Sequence, residues 1–108
     1  MQSALDALES VYFTLQTNLS MILAATPEGQ RDLVMSKYVA ARANYWACIG
    51  KAFHDDDPAV IALVKEMGPI EEFLKDADKE LGNIAEVIGY ITKAVDIGFQ
   101  IAGKVVAV

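Results

Sequence analysis

The residues best suited to bind a metal ion form one short run, His54-Asp55-Asp56-Asp57. Imidazole and carboxylate groups are good ligands for many metals. Four consecutive side chains at a helix boundary rarely converge on one ion, however, and acids that precede a helix also stabilise the positive end of its dipole. We therefore interpret the run as a capping loop, with Asp57 as N-cap and Pro58 at the first helical position.

A second acidic segment, with Asp76, Asp78 and Glu80, shares the start of a calcium-binding loop. The sixth position of that loop would be Leu81, where calcium loops need glycine, and the twelfth would be Val87, where they need glutamate. The pattern predicts a solvated helix face, and we expect no metal site.

The remaining candidates for catalysis are single residues. One histidine is present, which excludes both the paired Glu-x-x-His motifs of a di-iron bundle and a bis-histidine haem site within one chain. Cys48 lies among Tyr45, Ile49 and Ala52, which predicts a small buried side chain rather than a nucleophile. Neither a glycine-rich phosphate loop nor a nucleophile elbow occurs in the sequence. We expect a protein that is not an enzyme and that needs no cofactor.

Aromatic and small residues could instead form an interaction surface. An aromatic stretch lies on the second predicted helix beside Arg42, and aromatic residues and arginine are typical anchors of protein interfaces. The interpretation that we prefer for these aromatic residues is that they fill the core, because they bury a large apolar area. On the last predicted helix, small residues would let another helix approach closely. The candidate interaction surface comprises Tyr38, Arg42, Tyr45, Trp46, Phe53, Gly89, Gly98, Phe99, Ile101 and Ala102.

Length and charge limit the class of partner. The chain has 108 residues, of which 54% are apolar, and we expect one domain over residues 1–108. Its net charge of -6 lies in the second half: residues 55–108 hold eleven acids and five bases, whereas residues 1–54 hold four of each. Nucleic-acid affinity comes largely from Lys and Arg that neutralise phosphates, so we expect no nucleic-acid partner. The acidic half would attract a basic partner.

The apolar pattern of the first half predicts two helices. Leucine-rich three-four spacing from Leu5 to Ile22, after the N-cap Ser3, predicts a helix over residues 4–25. Thr26-Pro27 predicts that the second helix begins at Pro27. That helix has two adjacent apolar rows, which predicts contacts with more than one neighbour. The rows are Val34, Tyr38, Ala41, Tyr45, Cys48 and Ala52, and then Met35, Val39, Trp46, Ile49 and Phe53.

One three-four apolar register continues from Val60 to Val105, opposite a polar series from Lys65 to Gln100. A single helix of some 48 residues would be about 70 Å long, so we expect the chain to reverse at Gly82-Asn83 and to kink or break briefly at Gly68-Pro69. The predicted fold is an all-α antiparallel four-helix bundle with a kinked third helix, either a monomer or a dimer, with helices of about 22, 27, 24 and 25 residues. The alternative is an extended helical hairpin in which residues 58–107 form one long kinked helix.

The last predicted helix, residues 84–108, is apolar on almost every side, which indicates a central helix, an oligomer interface or a membrane-facing surface. We expect a non-enzymatic protein-protein interaction module, such as an adaptor, an immunity-like protein or an accessory protein, that forms a homodimer or binds a larger partner. The alternative is a membrane-active protein whose C-terminal helix, about residues 84–108, inserts into or lies on a bilayer. We find no signal peptide or transmembrane span, which predicts a cytoplasmic location and leaves secretion by a signal-independent route open.

Overall fold

Local capping signals decide where two of the four helices begin. Ser3 Oγ accepts a hydrogen bond from the N–H of Asp6, and the Asp57 carboxylate accepts one from the N–H of Ala59. These bonds satisfy amides that a first helical turn leaves unpaired, and they confirm the predicted starts of the first and third helices. In the computed structural model, which describes residues 3–106, the helices are α1 (Ala4–Ala25), α2 (Arg31–Cys48), α3 (Pro58–Lys75) and α4 (Ile84–Ala102).

The four helices pack as the predicted antiparallel bundle. α1 packs against α2 and α3, and α4 packs against the same two helices, so α2 and α3 occupy opposite corners. α1 and α4 also meet across the centre of the bundle. The bundle measures 42 × 22 × 18 Å. Because α3 and α4 pack side by side, the alternative of one long helix over residues 58–107 is wrong.

The apolar register of the second half faces inward, as its spacing predicts. None of its members from Val60 to Val105 is exposed, and Met67, Leu74 and Ile91 are almost completely buried. The polar series on the opposite side is exposed throughout: Lys65, Glu72, Lys79, Glu86, Lys93 and Gln100. The same register therefore supplies one wall of the core from α3 and another from α4.

α3 passes through Gly68 and Pro69 as one continuous helix, so the predicted interruption is absent. Proline removes the amide that would bond the carbonyl of Lys65, but Lys65 and Pro69 lie on the exposed side of α3, where solvent can replace the missing donor. α3 ends at Lys75, earlier than expected. Two 3-10 turns, Ala77–Lys79 and Leu81–Asn83, reverse the chain, and α4 begins directly after Gly82-Asn83, as predicted.

α2 is shorter than predicted at both ends. Pro27 has an extended backbone with a ψ of 142°, and Glu28–Gln30 form a 3-10 turn, so the α-helix begins at Arg31 rather than at Pro27. At the other end, Gly50 has a left-handed φ of 77°, a conformation that favours glycine, and the helix ends at Cys48. Phe53 consequently lies outside α2, which corrects its predicted place in the second apolar row.

A short antiparallel pairing closes one end of the bundle. β1 (Ala52–Phe53) pairs with β2 (Val105–Val106), so that Ala52 lies opposite Val106. α4 therefore stops at Ala102 instead of continuing to residue 108 as predicted; residues 107 and 108 lie outside the described residues. The Asp55 carboxylate also accepts a hydrogen bond from the N–H of Ala4 at 2.9 Å. The α2–α3 loop thus holds the start of α1 and the segment after α4 at the same end.

Candidate interaction surface

The two apolar rows of α2 have different surroundings. The first row is buried or half-buried over Val34, Tyr38, Ala41, Tyr45 and Cys48, because it faces the other helices. The second row without Phe53 is exposed at each of its apolar positions, and Trp46 is 56% exposed. We call this exposed row, together with the half-buried arginine that interrupts it, the α2 stripe. It comprises Met35, Val39, Arg42, Trp46 and Ile49.

An aromatic cluster joins the α2 stripe to α1. The ring of Tyr12 lies 5.8 Å from the ring of Tyr38, 5.8 Å from that of Tyr45 and 6.5 Å from that of Trp46, measured between centroids. Phe13, also exposed, lies 6.1 Å from Tyr45 in an edge-on arrangement. Such aromatic pairs contribute stability in addition to that from the area they bury. The cluster therefore holds the aromatic side chains of the stripe in place.

Arg42 lies against this cluster. Its guanidinium carbon is 5.0 Å from the centroid of the Trp46 ring and 6.0 Å from that of Tyr38. At these distances a cation is attracted by the negative face of an aromatic ring. The interaction holds a positive charge at the middle of the apolar stripe.

Glu9 of α1 lies at the edge of the same cluster. The Tyr45 hydroxyl donates a hydrogen bond to Glu9 Oε2 at 2.8 Å, and this bond to a carboxylate raises the pKa of Tyr45. A hydrogen-bonding interaction with Tyr12 is the main reason that the pKa of Tyr38 is also raised. Both phenols therefore stay neutral at physiological pH, and the carboxylate next to the stripe already has a partner on α2.

The structure brings together four of the predicted site residues: Tyr38, Arg42, Tyr45 and Trp46 lie on the same side of α2 or at its border with α1. The core and the exposed surface, the two environments predicted for these aromatic residues, therefore both occur on α2: Tyr38 and Tyr45 are half-buried, and Trp46 is exposed. Phe53 is half-buried in β1 and is not part of this group.

The predicted residues on α4 are dispersed. Ile101 is fully buried in the core, and an added Cβ at Gly98 would lie 3.2 Å from Asn44 Nδ2 and 3.4 Å from a methyl of Leu8. Gly98 therefore permits the close helix approach that its spacing predicts, but within this chain. Ala102 is half-buried and Gly89 is exposed, with nothing within 4 Å of an added Cβ. Phe99 is 71% exposed, outside the aromatic cluster.

Four members of the surface were not predicted as site residues. Met35, Val39 and Ile49 belong to the second apolar row, and their regular spacing was the available signal. Phe13 lies outside the three-four stripe that α1 buries, and an aromatic residue on the polar side of a helix was the corresponding signal there. Spacing alone does not show which of the two rows of α2 the neighbouring helices cover.

An open cleft of about 390 Å³ adjoins the cluster and shares Glu9 and Phe13 with it; Ser10, Thr14, Thr17, Asn18 and Lys75 complete its lining. Below it, the buried Glu71 carboxylate accepts a hydrogen bond from the Ser10 hydroxyl and lies 3.4 Å from Lys75 Nζ. The carboxylate raises the pKa of Lys75, which keeps that amine protonated. The hydrogen bond from Ser10 to Glu71 joins α1 to α3.

The cysteine is buried, as predicted, and burial raises the pKa of the Cys48 thiol. Over residues 3–106, no three His, Cys, Asp or Glu side chains come close enough to hold a metal ion. Within the same range, no helix has the length and apolar content that crossing a membrane requires. No family model matches the chain, and searches of curated proteins and of solved structures found no match.

Proposed function

We propose that this chain is a non-enzymatic protein-protein interaction module that binds its partner through the α2 stripe and the adjoining Phe13. The observation that supports this function is the exposed row of large apolar side chains around Trp46 and Arg42. Its role would be that of an adaptor, an immunity-like protein or an accessory protein. A cytoplasmic location fits the free thiol of Cys48.

Physical chemistry favours this surface as a binding site. Complete burial of a large apolar side chain stabilises a complex by about 1.5–3 kcal/mol before ordering costs, and the stripe offers several in adjacent positions. Tryptophan, tyrosine and arginine contribute disproportionately to measured interface energies. The contacts of Tyr45 and Trp46 with the Tyr12 ring also reduce the side-chain entropy that binding would otherwise remove, because these rings are already held in place.

The membrane-active alternative would require a large rearrangement of the bundle. It requires α4 to leave the bundle, although α4 buries residues along its whole length, from Val87 to Ile101. Exposing that face would disrupt the core shared with α1, α2 and α3. The α2 stripe needs no such rearrangement, so it supports the interaction function more directly.

The proposal is tested by affinity capture with three forms of the chain. The native protein is compared with a Val39→Asp, Trp46→Ser double variant and with a Phe99→Ser control that changes an exposed aromatic residue on another helix. We expect a partner that the native protein and the control retain and that the double variant loses. The interaction is then repeated with both proteins purified, using the emission of Trp46, the only tryptophan, as a direct report of burial.

Circular dichroism and urea denaturation establish that all three forms are folded. A partner that binds the double variant as well as the native chain would contradict the proposed site. A partner lost only from the Phe99→Ser control would move the site to α4.

A further inference from the structure

The spacing of the α2 stripe indicates the shape of its occupant. Met35, Val39, Arg42, Trp46 and Ile49 are separated by four, three, four and three residues; the first four lie in α2, and Ile49 is the residue that directly follows it. This is the seam by which one α-helix packs along another in a two-stranded coiled coil. The occupant that matches such a seam is an amphipathic helix lying along α2, with apolar residues at the same alternating intervals.

The segment that carries the stripe is opposite in charge to the rest of the chain, and the one carboxylate described at its border, that of Glu9, already accepts a hydrogen bond from Tyr45. Residues 31–51 hold four bases and one acid, a net charge of +3, whereas the remainder holds five bases and fourteen acids, a net charge of -9. Arg31 is exposed and lies eleven residues before Arg42, so three helical turns, about 16 Å, separate them on one side of α2. Lys51 follows the end of α2. Positive charge is thus available at the beginning, the middle and the end of the seam.

Symmetric self-association through this seam is unfavourable. A parallel pairing of two copies of α2 places every seam position opposite itself, and an antiparallel pairing about the centre of the seam exchanges Met35 with Ile49 and Val39 with Trp46. Either arrangement leaves Arg42 of one copy against Arg42 of the other. Like charges at an interface oppose association, because desolvation strengthens their repulsion.

We propose that the occupant of the α2 stripe is an acidic amphipathic helix that places a carboxylate opposite Arg42 and apolar side chains over Val39 and Trp46. This inference rests on the proposed function and identifies the chemistry of its partner. The contact of Arg42 with the Trp46 ring is compatible with the ion pair, because a guanidinium carries five N–H donors and can contact a ring and a carboxylate at the same time. The acids of this chain's second half lie on other elements and do not enter the seam.

Two synthetic helical peptides of about three heptads test the inference. Both carry leucine at the seam positions and have acidic flanks; one has glutamate at the central seam position and the other has lysine. Affinity is measured by titration calorimetry and by the blue shift of Trp46 emission, with the native chain and with Arg42→Glu and Arg42→Gln variants of verified fold. We expect the native chain to prefer the glutamate peptide by at least about tenfold, Arg42→Gln to lose the preference and Arg42→Glu to reverse it.

The contrary outcomes separate the inference from the proposed function. If the native chain binds both peptides equally, and Trp46→Ala abolishes both interactions, the stripe is a binding surface but the acidic partner is wrong. If neither peptide binds and the protein forms dimers that Val39→Asp dissociates, a second copy is the occupant. If neither peptide binds and the protein stays monomeric, the inference fails, and the capture experiment alone decides the fate of the proposed function.

Discussion

α2 and α4 both carry apolar side chains around most of their circumference, yet they have different fates. α4 buries seven residues, and α2 buries only three, Val34, Ala41 and Cys48. The polar side chains of α4, such as Lys93, Asp96 and Gln100, share one side and leave the remaining surface uninterrupted. In α2, Arg42 lies within an apolar row. The comparison teaches that the placement of a few polar residues, more than the apolar fraction, decides which helix enters a small core.

The sequence predicts that α4 is the helix in need of cover, and the bundle provides that cover internally. Leu8 of α1, Asn44 of α2 and Met67 of α3 all lie within 4 Å of the Cβ position of Gly98. Among the described residues, most of the large exposed apolar side chains lie on α2 or directly after it, whereas α4 has one, Phe99. The difference between the two helices can be measured with matched substitutions.

The largest effect is expected from isoleucine truncation. Ile101→Ala removes a fully buried side chain from α4 and should lower the free energy of unfolding by about 2–5 kcal/mol, because it leaves a cavity. Ile49→Ala removes the same atoms from the exposed stripe and should change it by no more than about 0.5 kcal/mol. Urea denaturation at constant pH measures both. Equal losses would show that the two helices are buried alike and would remove the basis of the comparison.

Substitutions at the two glycines of α4 should change the stability of the fold in opposite directions. Gly98→Val introduces a branched side chain 3.2–3.4 Å from Asn44 and Leu8 and should destabilise the fold by about 1–3 kcal/mol through overpacking. Gly89→Ala has open space around the added Cβ and should stabilise α4 by about 0.5–1 kcal/mol, because glycine is the poorer helix former. Thermal unfolding gives both differences. A stable Gly98→Val variant would mean that α4 is less closely packed than described.

The smallest effect concerns the border between the stripe and α1. The Glu9 hydrogen bond raises the pKa of Tyr45 above the ordinary tyrosine value of about 10, so the stability from this bond is complete below that pH and is lost as the pH rises through the raised pKa. Glu9→Gln should lower the midpoint of Tyr45 ionisation. Absorbance titration measures tyrosinate, and Tyr45→Phe identifies which step belongs to Tyr45. An unchanged midpoint would show that Glu9 is not bound to this phenol in solution.

Elements controlled by local bonds could be predicted from the sequence. The bounds of α1 and the starts of α3 and α4 agree with their capping and glycine signals, and the inward register from Val60 to Val105 follows from spacing alone. One of the two main errors has a local cause and the other a non-local one. Gly50 ends α2 although alanine and phenylalanine follow, and α4 stops short of residue 108 where Val105–Val106 pairs with the α2–α3 loop.

The candidate site could be predicted only in part, because residue types are local information and the packing of the helices is not. The aromatic residues of α2 and Arg42 were recognisable by type, and both apolar rows were recognisable by spacing. Which row stays exposed depends on the corners that α1 and α4 occupy, and no local pattern records that choice. Gly98 and Ile101 illustrate the converse: their small size and apolar character suit an interface, and the interface that they form lies inside the chain.

The long-range contacts of the α2–α3 loop also bear on the order of folding. The hydrogen bond from Ala4 to Asp55 spans 51 positions of the sequence, and the pairing of Ala52 with Val106 spans a similar distance in the other direction. The turn between α3 and α4, by contrast, is closed by bonds between near neighbours, such as Glu80 to Ala77. Closing long loops costs more chain entropy than closing short ones. We therefore expect the α3–α4 pair to assemble early and the end of the bundle that holds this loop to close last.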